Sequence, residues 1–334
     1  MTYEVNEAKD LVIKAGKELL ESGLIARTWG NISARISETQ FVITPSGKAY
    51  DGLTRDDIVI VNISDCKYEG NVKPSSEKGV HAECYRLRPE VNFVIHTHQT
   101  NASALSILGQ DIVPNELVSE EDKSFLGYKI PCAKYGLSST KKLKNAVAEA
   151  VQQNPKSPQV LMKYHGAVCM GKDYDEAFKV VRTLEKVSGQ IYEEYVGEKL
   201  ATSDYKNVRE DVYDCIAVHA KTPYIMKMAQ LGKAMRPYID DLAQISGVIT
   251  KCVPYGANKD EILVGRDKNE AVFIQGDGAM CFGANIDEAE AVAMVLEKGC
   301  QAAYLGLKKK VSGVGMAEAL LERTIYVKKY SKLK

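Results

Sequence analysis

The sequence predicts an α/β fold that contains an internal repeat. Short apolar stretches, typical of buried strands, alternate with longer stretches whose apolar residues recur every three or four positions, as in amphipathic helices. A block of sequence from the middle of the chain also recurs near its end. Strands interleaved with helices favour a layered architecture, although periodicity alone leaves the order of the strands open.

Turn residues and helix caps set the boundaries of the predicted elements. Gly23 stands where the C-cap of the first helix is expected, and Pro89 ends the second helix. Asp175 and Glu176 suit the positive N-terminal end of a long helix that begins at Asp173. Before this long helix, the predicted helices cover residues 7 to 23, 78 to 88, 102 to 108 and 141 to 153. The predicted strands cover residues 31 to 36, 41 to 44, 58 to 63, 91 to 96 and 160 to 164.

The internal repeat is the strongest signal of how the chain is organised. The turn before the long helix and the apolar face of that helix both recur at one offset, so chance likeness of two amphipathic helices is the weaker interpretation. The chain is expected to hold a full domain over residues 1–205 and a shortened, degenerate second copy over residues 206–334. The matching segments are His165-Gly-Ala-Val-Cys-Met-Gly and Asp277-Gly-Ala-Met-Cys-Phe-Gly, Leu184-Glu-Lys and Leu296-Glu-Lys, Tyr135-Gly136 and Tyr255-Gly256, and His96 and His219.

The composition excludes several classes of protein. The 334-residue chain carries 44 Lys plus Arg and 44 Asp plus Glu, and a net charge of zero offers no basic field for nucleic acid or an anionic membrane. Its apolar runs are too short to span a bilayer, and its acidic N-terminus lacks the apolar core of a signal peptide. The eight cysteines are scattered, without a Cys-x-x-Cys pair, which is typical of reduced, buried thiols. We therefore expect a cytoplasmic protein without a nucleic-acid or membrane partner.

Three of the five histidines form a candidate metal site. His96 and His98 end an apolar strand, in which residues i and i+2 point to the same face, so both imidazoles can reach one ion. His165 follows another short apolar strand and would complete a three-histidine set with one open position, the pattern of a catalytic zinc. Any single histidine could instead be a hydrogen-bonded structural residue, and His81, within a predicted helix, is assigned to that class.

The second copy carries different residues at the corresponding positions. The counterparts of the three histidines are His219, Lys221 and Asp277. A lysine ammonium has no lone pair for a metal, and only one imidazole remains. We therefore expect no metal site in the second copy and a structural role for it, such as covering the sheet or supplying an interface.

The segment Pro74-Ser75-Ser76-Glu77 precedes a predicted helix and has two interpretations. A serine at a helix start is usually an N-cap. The same hydroxyls and exposed amides also bind phosphate, with help from the helix dipole. Pro45-Ser46-Gly47 and Gly30-Asn31 are ordinary turn signals when taken alone. On these residues alone, capping is the preferred interpretation.

Together these segments resemble the class II aldolase/adducin family. The resemblance covers roughly residues 5 to 200, and the sugar-phosphate aldolases and 4-epimerases are the most similar enzyme types. It implies a three-layer α/β/α sandwich around a mostly antiparallel sheet, and cyclic tetramers with active sites between subunits. The segments that carry it are Trp29-Gly30-Asn31-Ile32-Ser33, Ile43-Thr44-Pro45-Ser46-Gly47, Lys73-Pro74-Ser75-Ser76-Glu77, Val94-Ile95-His96-Thr97-His98 and His165-Gly166.

The resemblance also implies a reaction and a set of roles. The reaction is cleavage of a ketose 1-phosphate, of the fuculose 1-phosphate kind, to dihydroxyacetone phosphate and an aldehyde. Breaking the C–C bond beside the ketone leaves an enediolate, whose charge zinc stabilises as a Lewis acid. Glu77 would be the acid/base that moves the proton at the enediolate carbon. The implied zinc ligands are His96, His98 and His165, and the implied phosphate-binding residues are Asn31, Ser46, Gly47, Ser75 and Ser76.

The chain departs from the family pattern in two places. The aldolases carry a tyrosine on the loop after the metal strand, which donates a proton from a neighbouring subunit, whereas residues 115–122 contain no tyrosine. Glu120, Glu121 or a tyrosine from elsewhere is left for that role. The C-terminal segment that shapes the aldehyde end of the site is replaced by the second copy, so the aldehyde stays open. We expect a homo-oligomer, and the duplication allows fewer subunits than in single-copy relatives.

Three other functions stay open on the sequence. A 4-epimerase uses the same retro-aldol step, but the epimerases carry Asp where Glu77 stands and His-Ala-Asp where this chain has Leu117-Val-Ser119. A zinc-dependent dehydratase or decarboxylase of a sugar-acid or thiosugar phosphate would use the same metal ligands. A non-catalytic scaffold module of the adducin type has no need of intact metal ligands. The sequence therefore favours a zinc-dependent aldolase that acts on a small phosphorylated sugar.

Overall fold

The structure is a computed structural model that describes residues 2–25, 29–199, 208–212 and 215–330. Residues up to Ile191 belong to one unit, and a second unit begins at Tyr192. No helix within these described ranges is both long and apolar enough to cross a membrane. The predicted boundary between residues 205 and 206 lies outside the described residues and stays a prediction.

Helices and strands alternate along most of the chain. The helices are α1 (Val5–Glu21), α2 (Lys78–Leu87), α3 (Thr100–Ser106), α4 (Glu120–Phe125), α5 (Lys141–Gln153), α6 (Tyr174–Val196), α7 (Pro223–Gln230), α8 (Asp240–Ile245), α9 (Lys259–Arg266), α10 (Ile286–Lys309) and α11 (Met316–Ile325). The strands are β1 (Gly30–Arg35), β2 (Gln40–Ile43), β3 (Val59–Asn62), β4 (Phe93–Thr97), β5 (Cys132–Ala133), β6 (Gln159–Met162), β7 (Gly166–Gly171), β8 (Val208–Val212), β9 (Cys215–Ala220), β10 (Lys251–Val253), β11 (Ala271–Ile274) and β12 (Gly278–Gly283).

The first unit is built on a seven-stranded sheet in the order β3-β2-β1-β4-β7-β6-β5. All neighbouring strands are antiparallel except β5 and β6, which are parallel. Helices α2 and α5 pack together over one face, where their apolar side chains share a core with the strands. Helices α1 and α3 pack on the opposite face. This is the three-layer sandwich around a mostly antiparallel sheet that the sequence resemblance implied.

The central strand β4 is covered on both faces, which explains its uninterrupted apolar run. Val94 belongs to the core beneath α2 and α5. Phe93 and Ile95 are also fully buried, and they point to the opposite face because successive strand residues alternate. His96 shares its face with Val94. The alternation therefore directs His96 to the face that α2 covers, where Glu77 stands at the start of that helix.

The second unit repeats the first sheet in shortened form. Its five strands follow the order β10-β11-β12-β9-β8, with β10 and β11 parallel and the other pairs antiparallel. His96 pairs with Val168 across β4 and β7, and His219 pairs with Met280 across β9 and β12. The two registers match the repeat found in the sequence. The chain is therefore a full domain followed by a shortened copy, in which β8 takes the position of β1 and strands equivalent to β2 and β3 are absent from the described sheet.

A glutamate on the long helix of each copy explains why Leu-Glu-Lys recurs. The carboxylate of Glu185 accepts hydrogen bonds from the backbone N–H groups of Asn101 and Ala102, at the start of α3. The carboxylate of Glu297 accepts the equivalent bonds from Tyr224 and Ile225, at the start of α7. The first turn of a helix has N–H groups without intrahelical partners, and an anionic acceptor satisfies them. The repeat thus preserves a helix cap across both copies.

Most of the predicted elements are confirmed, with small shifts at their ends. The helix over residues 141 to 153 has the predicted bounds, whereas the first helix begins at Val5. The predicted strand over residues 91 to 96 begins at Phe93, because the N–H of Val91 bonds to the carbonyl of Arg88 in a turn. The strand predicted to reach Tyr164 ends at Met162, since Tyr164 adopts a φ of 64° and turns the chain into β7.

Gly166 allows β7 to approach the end of β4, and its replacement tests that contact. A Cβ atom at Gly166 would overlap the carbonyl oxygen of Thr97, which is backbone and cannot rotate away. We expect Gly166→Ala to lower the free energy of unfolding by about 3 kcal/mol. Gly52→Ala is the matched control, because a Cβ there meets nothing within 4 Å. Urea unfolding of both variants measures the difference, and equal stabilities would contradict the packing described.

Candidate metal centre and active site

Three imidazoles meet where β4 ends and β7 begins. His96 lies in β4 and His98 follows it, while His165 immediately precedes β7, the antiparallel neighbour of β4. Their ligand nitrogens all lie within 4.8 Å of one another. The rings of His96 and His165 stack with centroids 5.1 Å apart. The structure thus brings together the three histidines named from the sequence, in a cluster that can hold a metal ion.

The surroundings of His96 fit a cation at this cluster. Its Nδ1 lies 2.9 Å from the carbonyl oxygen of Ala167, which can only accept, so Nδ1 carries the proton. In the neutral ring Nε2 then carries a lone pair, and it lies 2.8 Å from Nε2 of His98 and 3.1 Å from Oε2 of Glu77. Electron-rich atoms this close repel one another unless a cation or a shared proton lies between them. Imidazoles oriented by an outer carbonyl are typical ligands of Zn²⁺.

Glu77 places a buried carboxylate against two of these rings. Its Oε1 lies 3.2 Å from Nε2 of His165, and its Oε2 contacts His96. Among the described residues, Oε1 finds no hydrogen-bond donor. Burial works to raise the pKa of Glu77, but positive charge on the imidazoles of His165 and His96, which they carry when protonated, outweighs it and holds that pKa well below its ordinary value. Positive charge at the histidine cluster therefore favours the ionised form of Glu77.

A chain of buried hydrogen bonds connects Glu77 to the core. The Nδ2 of Asn31 donates to Oε2 of Glu77 at 3.4 Å, and Oδ1 of Asn31 accepts from Nε2 of His81 at 2.5 Å. The other ring nitrogen, Nδ1 of His81, lies 2.6 Å from the hydroxyl of Ser33, which also contacts the hydroxyl of Tyr85 at 2.7 Å. These partners fix the orientation of the Asn31 amide. The expected structural role of His81 is borne out by these contacts, which also join it to the candidate site.

The two serine-containing turns lie side by side. Pro45 and Pro74 form an isolated antiparallel bridge, and the N–H of Ser46 bonds to the carbonyl of Lys73 at 2.9 Å. The segment with Ser46 and Gly47 is thereby held beside the segment with Ser75 and Ser76. The N–H of Ser75 also bonds to the carbonyl of Thr44 at 3.0 Å, and Thr44 directly follows β2. The segments that carry the predicted phosphate-binding residues are therefore neighbours.

The capping interpretation of these serines is wrong. Glu77, not a serine, occupies the N-cap position of α2, and its side chain makes no capping hydrogen bond. The hydroxyl of Ser75 accepts from the N–H of Glu77 at 3.2 Å, before the helix begins. The serines thus shape the turn that presents Glu77, and they do not cap the helix.

Two residues beside the site were missed from the sequence. Ser138 Oγ lies 3.4 Å from Nδ1 of His165, and Ser139 Oγ donates to Ser76 Oγ at 2.7 Å. Both serines lie in the turn before α5, where Thr140 is the N-cap. A run of Ser-Ser-Thr before a helix signals a cap, and it hides any other role.

Glu120 and Glu121, the alternative proton donors, lie in the first turn of α4 and are exposed.

Comparison with known proteins identifies the fold and its family. Residues 10–192 and 208–304, most of the chain, match the family described as Class II Aldolase and Adducin N-terminal domain. The chain belongs to the class II aldolase and adducin family. The two matched segments correspond to the two copies of the domain.

Two solved structures illustrate the family relationship. An L-fuculose 1-phosphate aldolase is 29% identical, with 61% of this chain and 93% of that chain covered and a TM-score of 0.53. YgbL of Klebsiella pneumoniae, a candidate aldolase/epimerase/decarboxylase, is 21% identical, with 57% of this chain and 90% of that chain covered and a TM-score of 0.51. The second likeness concerns the fold alone.

The second copy of the aldolase domain has an ion pair where the first has the histidine cluster. Lys221 Nζ lies 2.5 Å from Oδ1 of Asp277. The Nε2 of His219 donates to the carbonyl oxygen of Asp277 at 2.7 Å, so that nitrogen carries a proton. Across the described residues, the one group of three histidine, cysteine or acidic side chains close enough to share an ion is His96, His98 and His165.

Burial of His81 makes the stability of the protein depend on pH. Burial first, and then the nearby His96, lower the pKa of His81 to about 3 in the folded chain, whereas an unfolded histidine titrates near 6.5. Below about pH 6.5 the unfolded chain binds a proton that folded His81 does not bind, so stability falls as the pH decreases and is unaffected by this group above that range.

We expect metal-free wild type to lose about 1.4 kcal/mol more per pH unit than His81→Gln between about pH 6 and pH 4. Urea unfolding at several pH values in a chelator checks this. Parallel curves for the two proteins would contradict the neutral, buried state of His81.

Proposed function

We propose that this protein is a zinc-dependent lyase that cleaves a ketose 1-phosphate into dihydroxyacetone phosphate and an aldehyde. The observation that carries the proposal is the meeting of three imidazoles with one buried carboxylate. Membership of the class II aldolase family supports the reaction class. The 29% identity to an L-fuculose 1-phosphate aldolase supports a phosphorylated ketose as substrate.

The proposed metal ligands are His96, His98 and His165. A divalent ion held there supplies Lewis-acid stabilisation of the negative charge that develops on the substrate oxygens. The protein's own contribution is to hold the rings in place. The carbonyl of Ala167 orients His96, and the antiparallel pairing of β4 with β7 keeps His165 beside it.

Glu77 is the proposed acid/base. In the direction of synthesis, its carboxylate removes a proton from the hydroxymethyl carbon of dihydroxyacetone phosphate. That carbon then bonds to the aldehyde carbon, and the aldehyde oxygen takes up a proton. Cleavage runs the same steps in reverse, with Glu77 returning its proton to carbon. The carboxylate must be ionised to accept this proton, and positive charge at the histidine cluster favours the ionised form.

The proposed phosphate site lies on the neighbouring turns that carry Ser46, Gly47, Ser75 and Ser76, with Asn31 next to them. Hydroxyl and amide donors that converge on one phosphate can bind it without an arginine. Holding the phosphate fixes the reacting carbons relative to Glu77. Asn31 has a second task in this proposal, because its amide donates to the Glu77 carboxylate.

The cellular setting and assembly are also proposals. All eight cysteines lie in the described part of the chain and are free thiols, which supports a reducing, cytoplasmic setting. The family resemblance supports a homo-oligomer, and sedimentation measurements test the number of subunits.

Metal content tests the three ligands. We expect one zinc per chain in the wild type and loss of that zinc in His96→Ala, because removal of one of three imidazoles leaves too few protein ligands. His219→Ala is the matched control, since it removes the equivalent imidazole of the second copy and should keep the zinc. Elemental analysis measures both. A wild type that binds no divalent metal after zinc is resupplied would favour a non-catalytic scaffold module.

Turnover tests Glu77. A screen of ketose 1-phosphates should release dihydroxyacetone phosphate, and Glu77→Gln should lower kcat by about 10²–10⁴-fold, the usual contribution of a positioned acid/base. Glu83→Gln is the matched control, because Glu83 lies on the same helix and pairs with Arg86 and Lys144. A coupled assay for dihydroxyacetone phosphate gives the rates. Epimerised, dehydrated or decarboxylated products without dihydroxyacetone phosphate would reassign the reaction.

A further inference from the structure

A turn before α5 reaches both parts of the proposed site. Ser138 Oγ lies 3.4 Å from Nδ1 of His165, one of the proposed metal ligands. The next residue, Ser139, donates its hydroxyl to Ser76 Oγ at 2.7 Å, within the proposed phosphate site. Two consecutive side chains therefore contact the histidine cluster and the serine-containing turn. The residues implied by the family resemblance do not include this turn.

The backbone holds the turn firmly against α5. Gly136 lies so close to the first turn of α5 that a Cβ atom there would overlap the N–H of Leu143. The hydroxyl of Thr140 accepts from the same N–H at 3.3 Å. Ser139 itself has a φ of 63°, a conformation that favours glycine and asparagine over serine. The exposed Ser139 side chain is thus held in place beside Ser76.

The second copy provides an internal comparison. Tyr135-Gly136 corresponds to Tyr255-Gly256, and each pair precedes the N-cap of the equivalent helix, Thr140 of α5 and Asn258 of α9. Three residues, Leu137 to Ser139, separate glycine from cap in the first copy, whereas Ala257 alone does so in the second. The copy that lacks the histidine cluster therefore also lacks both serines.

The charge at the helix start differs between the copies in the same way. Helix α5 begins with Lys141 and Lys142 and has no acidic residue in its first turn. Helix α9 has Asp260 and Glu261 in its first turn, and Glu261 completes a capping box with Asn258. Acidic residues are favoured at a helix N-terminus and basic residues are disfavoured. The first copy therefore concentrates positive charge beside Ser139, which suits an anionic ligand.

We propose that Ser139 is a further phosphate-binding residue, which extends the substrate site to the turn before α5. The proposal rests on the proposed function. Two hydroxyls 2.7 Å apart can each donate to a different oxygen of one phosphate group. When phosphate binds, the proton that Ser139 gives to Ser76 turns to the phosphate instead. Lys141 and Lys142 supply the positive field.

Ser139→Gly tests the proposal without straining the backbone, because glycine accepts a positive φ. Ser139→Asn is the rescue variant, since asparagine also tolerates this conformation and its amide can donate to phosphate. Ser76→Ala reports on the proposed phosphate site itself, and Ser124→Ala, at an exposed position on α4, is the control. Calorimetric titration of each zinc-loaded protein with dihydroxyacetone phosphate and with inorganic phosphate measures affinity, and elemental analysis measures zinc.

We expect Ser139→Gly to weaken both ligands about 10-fold, which corresponds to one hydrogen bond to a charged group, with zinc content unchanged. Ser139→Asn should recover most of the affinity, and Ser124→Ala should match wild type. Wild-type affinity in Ser139→Gly alongside weakened binding in Ser76→Ala would overturn this inference and leave the proposed function standing. Loss of zinc in Ser139→Gly would also overturn it, since the turn would then be structural. Absence of binding in the wild type would overturn both.

Discussion

The antiparallel pairing of β4 with β7 is the constraint on which the rest of the site depends. The register sets His96 opposite Val168, and it leaves His98 and His165 at the same end of the sheet. A shift of one residue would turn His96 to the other face, away from α2 and Glu77. Gly166 permits this register, because a side chain there would overlap the backbone of Thr97. The chemistry thus depends on a backbone contact between two strands.

Within that frame, buried polar groups are arranged as one connected set. Glu77 contacts two imidazoles, and its other neighbour Asn31 is oriented by His81. An ionised carboxylate in a protein interior is costly unless charged or donor groups surround it. Burial lowers the pKa of His81 and keeps that ring neutral, while positive charge on the rings of His165 and His96 lowers the pKa of Glu77 and favours its ionised form. Stability and reactivity are therefore coupled at this site.

The duplicated chain separates the framework of the domain from its chemistry. The second copy keeps the strand register and the glutamate cap at the start of the following helix. It also keeps a glycine, Gly278, at the position of Gly166, where a Cβ would overlap the carbonyl of Ala220. It has Lys221 and Asp277 where the first copy has two of its histidines, and their ion pair needs no external cation. The second copy keeps the backbone packing although its histidine positions are substituted, because the packing and the histidine site depend on different residues.

The sequence by itself determined the alternation of helices and strands, the repeat and the histidine set. Periodicity reports local conformation, and the His-x-His spacing at a strand end reports a shared face. Neither reports contacts between distant segments. Only the tertiary structure decided that Ser75 and Ser76 shape a turn and do not cap α2, that His81 is joined to Glu77 through Asn31, and that Ser139 reaches Ser76. The contacts of Asn31 with Glu77 and His81, and of Ser139 with Ser76, join residues 46 to 63 positions apart in the sequence. The packing of the whole sheet sets these contacts and also the residue at which α2 begins.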